Sequence, residues 1–598
     1  MKKQTKLVAV LSTAALLAIG ASMTSFAATG WAEEDGTWVY YNRDGERATD
    51  SWKKSGNNWY YLDSDGEMAI DQLIEDGDNY YYVDINGVMA SNQWVAIENE
   101  DAGEDGEPEH YWYYFQANGK ALTNGDNDKV SLKTINGKKY AFDDEGKMLY
   151  GWVDEDSAER VDDTDSDGFK EGVYYFGGED DGAMTTGWIQ LDITYDEATT
   201  DDYKYTAAAF NDDEDQTRWF YFKSNGKKIF AEDGDRTKDK TINGKKYAFD
   251  EYGAMVAEWS LDEDDLGTAP NGFTSNVASS AEVVTGKAFD SKYTESWKYF
   301  SSVEDGARIS KGWFKVVPAE YLNEEKYNDD EDFWYYADGS GNLYAGEFKT
   351  IKGKKYAFRN DGRMLNGLKF ILEDDENDNL TVYSDDDDPN FDNEDDFLDH
   401  AVDFYEPNGF KCYYFGNGDD GAMRTNKTTV EIDGENHNFY FEKSGSHKGA
   451  GVTGEKDDKL YQSGMLLKAD SDDKYIVVDK TTKYKTVDGQ KVLDYVTYNK
   501  LDDAKDFMAQ GDVLDTPTPV VNGKYDLGNN NSKKADDISE AYTINYKTYG
   551  SSDMTTHEYI LVNTSGKIID NKGKNKDGSD YYYVTDTNGK ITNIYVED

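Results

Sequence analysis

Cysteine, histidine and proline are scarce in this chain of 598 residues. The single cysteine, Cys412, excludes an intramolecular disulfide framework, and its aromatic neighbours predict a packed strand position. The five histidines are scattered and lack the spacing of a zinc site. Nucleophile-elbow, phosphate-loop and dinucleotide motifs are missing too, and carboxylates are so numerous that no pair indicates acid–base chemistry. The sequence therefore predicts a protein that is not an enzyme.

Positive charge is the next scarce feature. Lysine and arginine together number 63, against 121 aspartates and glutamates, which gives a formal net charge of −58. Duplex nucleic acids and anionic membrane surfaces are recognised by basic surfaces. Neither is therefore predicted as a partner of this chain.

Long apolar runs are missing except at the start of the chain. There, three lysines precede the apolar run from Leu7 to Met23, and Ser25-Phe26-Ala27 follows as a small-x-small cleavage site. This order predicts a secretory signal peptide over residues 1–27. Since no other apolar run approaches spanning length, the sequence predicts a secreted protein without a membrane span, held at a cell surface or cell wall by binding.

Aromatic side chains and glycine turns are what the chain has in abundance, with 47 tyrosines and 55 glycines. Over residues 28–95, Trp31, Trp52, Leu73 and Trp94 recur every 21 residues. Each unit contains an aromatic strand, an Asx-Gly turn and a short return strand. One hairpin buries too little apolar surface to be stable alone, so these compact repeats predict a stack of hairpins.

A longer period follows over residues 96–465. The motif that begins KTINGKKYAF at Lys133 returns at Lys240 and Lys349, spacings of 107 and 109 residues. Further aromatic hairpins precede and follow each copy, which predicts blocks of three hairpins separated by acidic inserts. One insert, Ile371 to Glu406, lacks lysine and arginine and is predicted to form exposed loops.

The repeats degrade over residues 466–598, which are predicted to be degenerate repeats or a small β-rich module. A short helix is predicted from Asn499 to Gln510, where apolar residues fall on one side and Gly511 follows. The predicted fold class is therefore all-β: a β-hairpin repeat solenoid with acidic loop insertions and a degenerate β-rich C-terminal module.

The repeating pattern Gly-Trp…Trp-Tyr-Tyr…Asp-Gly-x-Met…Gly-Trp resembles the choline-binding, or cell-wall-binding, repeats of Gram-positive surface proteins. The version Thr-Ile-Asn-Gly-Lys-Lys-Tyr-x-Phe resembles the carbohydrate-binding repeats of large clostridial toxins and the glucan-binding repeats of glucosyltransferases. The resemblance covers residues 30 to about 465. It implies a hairpin solenoid that holds ligands between consecutive hairpins, each site built from aromatics of two adjacent units plus a methionine or leucine.

The resemblance also implies candidate ligand-binding aromatics. One candidate site groups Trp38, Trp52 and Tyr60, and another groups Trp59 with Tyr80 and Tyr81. Three closing tryptophans precede long acidic inserts, so the family's spacing to the next strand is lost after them. The full set of candidates is Trp31, Trp38, Trp52, Trp59, Tyr60, Tyr80, Tyr81, Trp94, Trp152, Trp188 and Trp313.

Two ligand chemistries suit such aromatics, and a third interpretation has no ligand. A quaternary ammonium gains roughly 0.5–2 kcal/mol on each Trp or Tyr face, and sugars can lie flat on the same rings. The favoured prediction is a non-enzymatic protein that attaches to choline-like or glycan groups of a cell-wall polymer. The alternatives are a secreted glucan- or host-glycan-binding protein or adhesin, and a structural spacer whose aromatics are all core.

No cofactor is predicted, although one acidic loop has part of a calcium pattern. Asp163, Asp165 and Asp167 are spaced like the start of a calcium loop. Tyr174 occupies the twelfth position, where a bidentate glutamate is expected, so the pattern is incomplete. Calcium binding therefore remains an alternative, and an acidic chain can contain such a pattern by chance.

Overall fold

The structure is a computed structural model. It describes residues 29–103, 107–161, 168–195, 214–232, 235, 237–261, 294–320, 322–373, 380–383, 391–501, 507, 516–528, 531–546, 554–570 and 575–598. The predicted signal peptide lies outside these residues, as do the three aspartates of the calcium pattern. Among the described residues, no helix has both the length and the apolar character that a membrane crossing requires.

The described chain divides into two compact units. The first holds the described residues of Met1–Tyr203, Ala208–Glu258 and Ser301–Ala307, and the second those of Trp259–Phe300 and Arg308–Asp598.

The strands up to residue 249 pair as successive antiparallel hairpins, which confirms the predicted all-β hairpin repeats. They are Gly30–Glu34, Thr37–Tyr41, Ser51–Ser55, Asn58–Leu62, Gln72–Asp76, Asn79–Val83, Gln93–Glu98, His110–Phe115, Lys133–Ile135, Lys138–Tyr140, Trp152–Val153, Tyr174–Tyr175, Gly187–Tyr195, Glu214–Phe222, Lys238–Ile242 and Lys245–Phe249. A single short helix, α1 (Gly168–Glu171), is described within this part of the chain.

The strands from residue 258 onward include the remaining repeats and the C-terminal sheets. They are Glu258–Leu261, Trp297–Phe300, Gly312–Val316, Phe333–Ala337, Phe348–Ile351, Lys354–Ala357, Leu368–Glu373, Leu380–Tyr383, Lys411–Tyr414, Asn426–Ile432, Glu435–Phe441, Gly454–Lys456, Lys459–Gln462, Met465–Leu466, Tyr475–Val487, Gln490–Leu501, Thr516–Pro517, Val520–Val521, Lys524–Asp526, Ser532–Lys534, Ile538–Thr543, Thr555–Asn563, Asn575–Lys576, Tyr581–Thr585 and Ile591–Glu597. The helices that lie wholly within the described residues of this part are α2 (Glu324–Asn328), α3 (Glu394–Asn408) and a 3-10 turn at Ala535–Asp537.

The repeated motif forms the hairpin that its sequence predicts. Asn136 and Gly137 both adopt positive φ, at 50° and 84°, as the two central residues of a type I′ turn require. The strands then pair in register, with Ile135 opposite Lys138. An Asx turn follows, in which the Asp143 carboxylate accepts the backbone N–H of Lys147 at 2.7 Å. Local turn chemistry thus determines where each repeat reverses.

One backbone hydrogen bond joins each repeat to the one before it. The N–H of Met148, on the return strand, donates to the carbonyl of Trp112 in the preceding hairpin at 2.8 Å. Met148 also packs against Gly182 of the following hairpin, whose φ is +50° and where a Cβ would lie 2.3 Å from the methionine sulfur. The glycine therefore permits both the turn and the close approach of the next repeat. The same backbone bond joins Met68 to Trp38, Met89 to Trp59, Met255 to Trp219 and Met364 to Trp334.

The predicted exposed loops over Ile371 to Glu406 are wrong in part. Helix α3 buries Phe397, Ala401 and Phe404, which are spaced at i, i+4 and i+7, against the core around strand Lys411–Tyr414. This apolar stripe overrides the acidic composition of the segment. Cys412, on that strand, is 1% exposed, so its predicted packed position is confirmed.

The C-terminal residues form three sheets. When each strand is named by the number of its first residue, the strand orders are 490–475–555, 516–538–591–581–575 and 520–524–532. The helix predicted from Asn499 is wrong at its start, because residues 499–501 continue the strand Gln490–Leu501. That strand keeps its antiparallel partner, Tyr475–Val487, through this point. Tertiary pairing therefore overrides the local helical pattern.

Candidate functional site

Three hairpins each carry two tryptophans whose ring planes are nearly perpendicular. In each, the closing tryptophan is the second residue of the first strand, and the second tryptophan, on the facing strand, pairs with the residue two positions after it. Two faces at a right angle form an open corner that a rounded group can enter. The pairs are Trp94 with Trp112 (6.5 Å between ring centroids, 82°), Trp188 with Trp219 (6.3 Å, 85°) and Trp313 with Trp334 (6.3 Å, 88°).

A tyrosine from the next hairpin forms the floor of each corner. Tyr140 of the repeated motif lies 4.9 Å from Trp94 and is 8% exposed. The corresponding distances are 4.8 Å for Tyr247 and 4.9 Å for Tyr356. We call these groups the first aromatic site (Trp94, Trp112, Tyr140), the second (Trp188, Trp219, Tyr247) and the third (Trp313, Trp334, Tyr356).

The three sites are open, whereas a fourth group of the same geometry is closed. The tryptophans of the three sites are all partly exposed. In the fourth group, Trp259 lies 6.3 Å from Trp297 at 83° and 5.0 Å from Tyr335. Trp297 and Tyr335 are fully buried, and the Trp259 indole donates to the carbonyl of Val317 at 2.7 Å. The residues that follow the next strand, Gly312–Val316, therefore fill this corner and leave no room for a ligand.

A carboxylate lies on the indole edge of the second tryptophan at each open site. Trp112 Nε1 donates to Asp180 at 3.2 Å, and Trp219 Nε1 donates to Glu304 at 3.3 Å. At the third site, Asp419 pairs with Lys315 at 3.1 Å. The Lys315 ammonium, followed by the Trp334 indole, holds the pKa of the Asp419 carboxyl below its usual value. Each corner therefore has a carboxylate at its rim, and at the third site Lys315 offsets its charge.

These carboxylates come from the turn of the hairpin after the tyrosine. In the first block this turn is closed by the Gly182 N–H, which donates to the Gly178 carbonyl at 3.0 Å. The neighbouring acid of the same turn is anchored separately: Asp181 pairs with Lys138 at 3.2 Å. Asp305 pairs with Lys245 at 3.1 Å, and this pair lowers the pKa of Asp305. One acid of the turn thus fixes its position, and the other faces the tryptophan.

Such a corner can bind a cation without a dedicated charged ligand residue. Aromatic faces attract a cation within about 6 Å of the ring centroid, and more strongly when water is excluded. The rim carboxylate adds an attraction for a positive ligand. Burial raises the pKa of Tyr140 and Tyr356, so both tyrosines remain neutral hydroxyls in the physiological range.

The structure places the predicted candidates in several different settings. Trp94, Trp188 and Trp313 each belong to an open aromatic site. Although the spacing in sequence is lost after Trp188 and Trp313, strand pairing is kept across both inserts, with Trp188 opposite Tyr221 and Trp313 opposite Tyr336. The two strands of each hairpin therefore remain paired on either side of the insert.

The candidates before Trp94 form smaller groups. In the predicted group of Trp38, Trp52 and Tyr60, the Tyr60 ring lies 5.3 Å from that of Trp31, and the Trp52 ring lies 5.0 Å from that of Tyr81. Trp52 also donates its indole N–H to Asp76 at 3.1 Å, the same type of contact as at the rims of the first two open sites.

The remaining three candidates differ in exposure. Trp59 is 40% exposed and Tyr80 is partly buried beside Leu73. Trp152 is 3% exposed and packs against Phe220 at 5.2 Å, so its position is that of a core residue.

Sequence reasoning missed nine residues of the open sites. The missed tryptophans each precede a copy of the repeated motif, and the missed tyrosines lie within it, so the long period could have revealed both. The rim acids share the pattern acid-Asp-Gly-Ala, which also recurs once per block. The missed residues are Trp112, Trp219, Trp334, Tyr140, Tyr247, Tyr356, Asp180, Glu304 and Asp419.

The geometry defines a class of protein, a repeat protein that presents aromatic corners between successive β-hairpins. Residues 48–94 match the family described as the choline-binding repeat. Through this segment, which contains Trp52, Trp59 and Trp94, the chain belongs to the choline-binding repeat family. No curated protein matches the chain in sequence.

Several solved structures of Streptococcus pneumoniae proteins are similar to parts of the chain. The choline-binding domain of Spr1274 is 35% identical over 16% of this chain and 95% of its own, with a TM-score of 0.13. Choline-binding protein CbpF is 18% identical over 73% of this chain and 98% of its own, with a TM-score of 0.21. The autolysin LytC is 16% identical over 57% of this chain, with a TM-score of 0.28, and this chain spans 54% of its length.

Proposed function

We propose that this chain is a secreted, non-enzymatic protein that binds choline-like quaternary ammonium groups of a cell-wall polymer through its three open aromatic sites. The observation that carries the proposal is the repeated combination of perpendicular tryptophan faces with a carboxylate at the rim. The choline-binding repeat over residues 48–94 supports the same ligand. Attachment through these sites would retain the protein at the cell surface.

The rim carboxylates favour an ammonium group over a neutral sugar. A sugar would gain from stacking on the rings and from hydrogen bonds to the acids, but it carries no charge for the carboxylates to attract. An ammonium group gains from the aromatic faces and from the rim carboxylate, because two opposite unit charges 4 Å apart attract by about 1–4 kcal/mol near a protein surface. The net charge of −58 acts in the same direction.

We assign the binding role to the compact repeats of residues 28–95 and to the array of residues 96–465. The multiplicity of the sites has a physical consequence. A polymer that presents many ammonium groups can occupy several sites of one chain, and the combined affinity can exceed that of one site by 10²–10⁴-fold. Weak individual sites would therefore suffice for stable attachment to a wall polymer.

The test is a calorimetric titration of the full chain with choline and with its neutral isostere, 3,3-dimethylbutanol. We expect choline to bind and the isostere to bind at least about tenfold more weakly, because only choline gains cation–π attraction. The triple variant Trp94→Ala, Trp188→Ala, Trp313→Ala should lose most of the choline heat. The control Tyr327→Ala removes an exposed aromatic of α2 and should leave it unchanged.

The alternatives give different results in the same experiment. Equal binding of choline and the isostere would refute an ammonium site. Binding of a soluble glucan in place of choline would move the protein to the carbohydrate-binding class. A chain that responds to none of the three would be a structural spacer.

A further inference from the structure

A cavity of about 460 Å³ lies against the C-terminal sheet that contains strand Tyr475–Val487. This strand lies between Gln490–Leu501 and Thr555–Asn563, and both neighbours are antiparallel to it. The volume is within the range of small-molecule sites in proteins, about 300–1,000 Å³. None of the described residues that line the cavity belongs to an aromatic site, so a ligand bound here would be independent of the proposed function.

Strand pairing gives the cavity a charged end and an apolar end. Lys480 lies opposite Glu558. Four residues further along the same strand, Tyr484 lies opposite Leu493. Residues i and i+4 of a strand project from the same face of a sheet, and so do residues that lie directly opposite each other on paired strands. Both ends are therefore presented on one face of this sheet.

Two lysines share one carboxylate at the charged end. Lys480 Nζ donates to one oxygen of Glu558 at 2.9 Å, and Lys590 Nζ donates to the other oxygen at 3.3 Å. Burial alone would raise the pKa of Glu558, but the two ammonium groups hold it below its ordinary value. The Lys590 ammonium also lies 3.8 Å from the centroid of the Tyr546 ring. We call Lys480, Glu558 and Lys590 the lysine cluster; its formal charge is +1.

Both ammonium groups of the lysine cluster retain hydrogen-bond donors for a ligand. An ammonium group carries three N–H donors. Within the part of the chain that the structure describes, Glu558 is the one hydrogen-bond acceptor of the Lys480 ammonium and of the Lys590 ammonium. A second carboxylate that accepts from both lysines would bring the charge of the cluster to zero. Hydrogen bonds between charged groups are about twice as strong as neutral ones, so the cluster suits an anionic ligand.

The apolar end exposes side chains that water would ordinarily not contact. Leu493 is 57% exposed, and Val496 and Tyr484 beside it are partly exposed. The Lys491 ammonium lies 4.1 Å from the centroid of the Tyr484 ring. A hydrocarbon chain that covers these residues would gain about fourfold in affinity for each CH₂ group that it removes from water. This end therefore suits the apolar body of a ligand.

A neighbouring cavity has the opposite charge balance. It measures about 420 Å³ and shares the three residues of the lysine cluster. Its wall adds one lysine and three acids, so three lysines face four acids and the formal charge is −1. The net charge of the whole chain also opposes an anion, but charges beyond about 8 Å are largely screened at physiological ionic strength. The added residues are Lys567, Glu455, Asp458 and Asp570.

We propose that the 460 Å³ cavity of the C-terminal module binds a carboxylate with an apolar body, such as a medium-chain fatty acid. The carboxylate accepts hydrogen bonds from Lys480 and Lys590, and the hydrocarbon covers the apolar end around Leu493. A neutral alcohol or amide lacks the charge that the lysine cluster attracts, and a small anion such as acetate lacks the body that the apolar end attracts. The module is then a second binding unit, whose ligand is an anion.

The experiment follows the methyl signals of leucine and valine by NMR in the full chain while octanoate is added. The Leu493 signal is identified by its loss in Leu493→Ile. Octanoate should shift this signal with saturation. Octanamide, which has the same carbon chain without the charge, should bind about tenfold more weakly, because it loses the charge-assisted hydrogen bonds. Acetate, which has the charge without the body, should cause no saturable shift.

Lysine substitutions locate the anion. Lys590→Met and Lys480→Met each remove one ammonium group and keep an unbranched side chain, so each should weaken octanoate by about tenfold and leave octanamide unchanged. A merely structural disturbance would weaken both ligands together. Lys567→Met, in the wall of the neighbouring cavity, and Lys485→Met, at an exposed lysine paired with Asp494, are the matched controls and should leave octanoate binding unchanged.

Three results would overturn the inference, and none of them depends on choline binding by the repeats. The first is the lack of a saturable shift of the Leu493 signal with octanoate. The second is equal affinity for octanoate and octanamide, which would leave the lysine cluster without a role. The third is an equal loss of octanoate affinity in Lys590→Met and Lys567→Met, which would place the anion outside the 460 Å³ cavity.

Discussion

Replacement of Lys228 by methionine should remove a contribution to the free energy of unfolding that depends on pH. Lys228 is 2% exposed, and its ammonium donates to the carbonyls of Phe169 and Lys170 and lies 5.2 Å above the Trp152 ring. Burial, as the main cause, lowers the pKa of Lys228 from its ordinary value of 10.5 to about 7. Each pKa unit corresponds to about 1.4 kcal/mol, so the folded chain disfavours the charged amine by about 4–5 kcal/mol.

The sign of the pH effect follows from proton binding. Between pH 7 and about 10.5 the unfolded chain holds a proton on Lys228 that the folded chain lacks, so the contribution of Lys228 to stability rises with pH. Methionine has no such contribution. The stability of the parent chain minus that of Lys228→Met should therefore increase through this window by up to about 4 kcal/mol. Near pH 7 and below, the variant should be the more stable protein.

The repeats indicate that methionine fits at this position. Lys228 forms the bridge to Phe222 on its return strand, and in the next hairpin Met255 forms the corresponding bridge to Phe249. The assay is urea unfolding at several pH values from 6 to 10. Lys223→Met replaces an exposed lysine on the same hairpin and is the control, for which the difference from the parent chain should not vary with pH.

The charge of Asp250 influences the pKa of Lys228 and must be considered in the same experiment. Burial raises the pKa of Asp250 to about 7 as well, so its carboxyl contributes a fall in stability between about pH 4 and pH 7. Because the Lys228 charge lowers the pKa of Asp250, its removal extends this fall to higher pH in the variant, so the comparison is repeated with Asp250→Asn in both chains. A stability difference that stays flat between pH 7 and 10 would refute the argument, because Lys228 would then have an ordinary pKa in the folded chain.

Two further predictions compare residues within the first unit. Glu304→Gln keeps an oxygen for the Trp219 indole but removes the rim charge. In a chain that retains only the second site (Trp94→Ala with Trp313→Ala), its affinity for choline should fall about two- to fivefold at low salt and less in 1 M salt. An unchanged affinity at low salt would exclude a role for the rim carboxylate. Trp152→Ala should lower the free energy of urea unfolding by about 3–5 kcal/mol, because it removes a buried ring. Trp188→Ala, at a partly exposed position, should lower it less and abolish choline binding at the second site. Equal losses of stability in the two variants would contradict the distinction between core and site.

The hairpin fold could be predicted because its determinants are local. Asn136 and Gly137 specify their turn within two residues, and Tyr140 and Phe142 alternate with Lys139 and Ala141 along the strand. Of these two neighbours Lys139 is exposed, whereas Ala141 is buried in a second apolar cluster. Repetition turns such weak signals into a strong one, since each copy must solve the same packing problem. The rest of the prediction was less secure where composition was used instead of periodicity. In helix α3 the acidic residues concealed the apolar stripe of Phe397, Ala401 and Phe404 that buries it.

The proposed sites could be predicted only in part, because each joins residues that are distant in sequence. The closing tryptophans were identified from the repeat boundary, but the rim carboxylates lie far beyond it. Asp180 is 68 residues from Trp112, and Glu304 is 85 residues from Trp219. In each case the repeated-motif hairpin lies between the two residues, so stacking of three hairpins brings them together. A pattern search over one repeat contains only one end of such a contact.

The closed group around Trp259 shows why an aromatic pattern alone does not specify a site. Its tryptophan pair has nearly the same centroid distance and angle as the open pairs, and Tyr335 occupies the place of the floor tyrosine. The difference lies in residues outside the aromatic pattern. The Val317 carbonyl accepts a hydrogen bond from the Trp259 indole, and Leu322, 1% exposed, packs in the same cluster. The proposed sites are the corners that the next segment leaves open and at whose rim it supplies a carboxylate. Both conditions depend on the inserts and turns, which vary from block to block while the aromatic pattern is repeated.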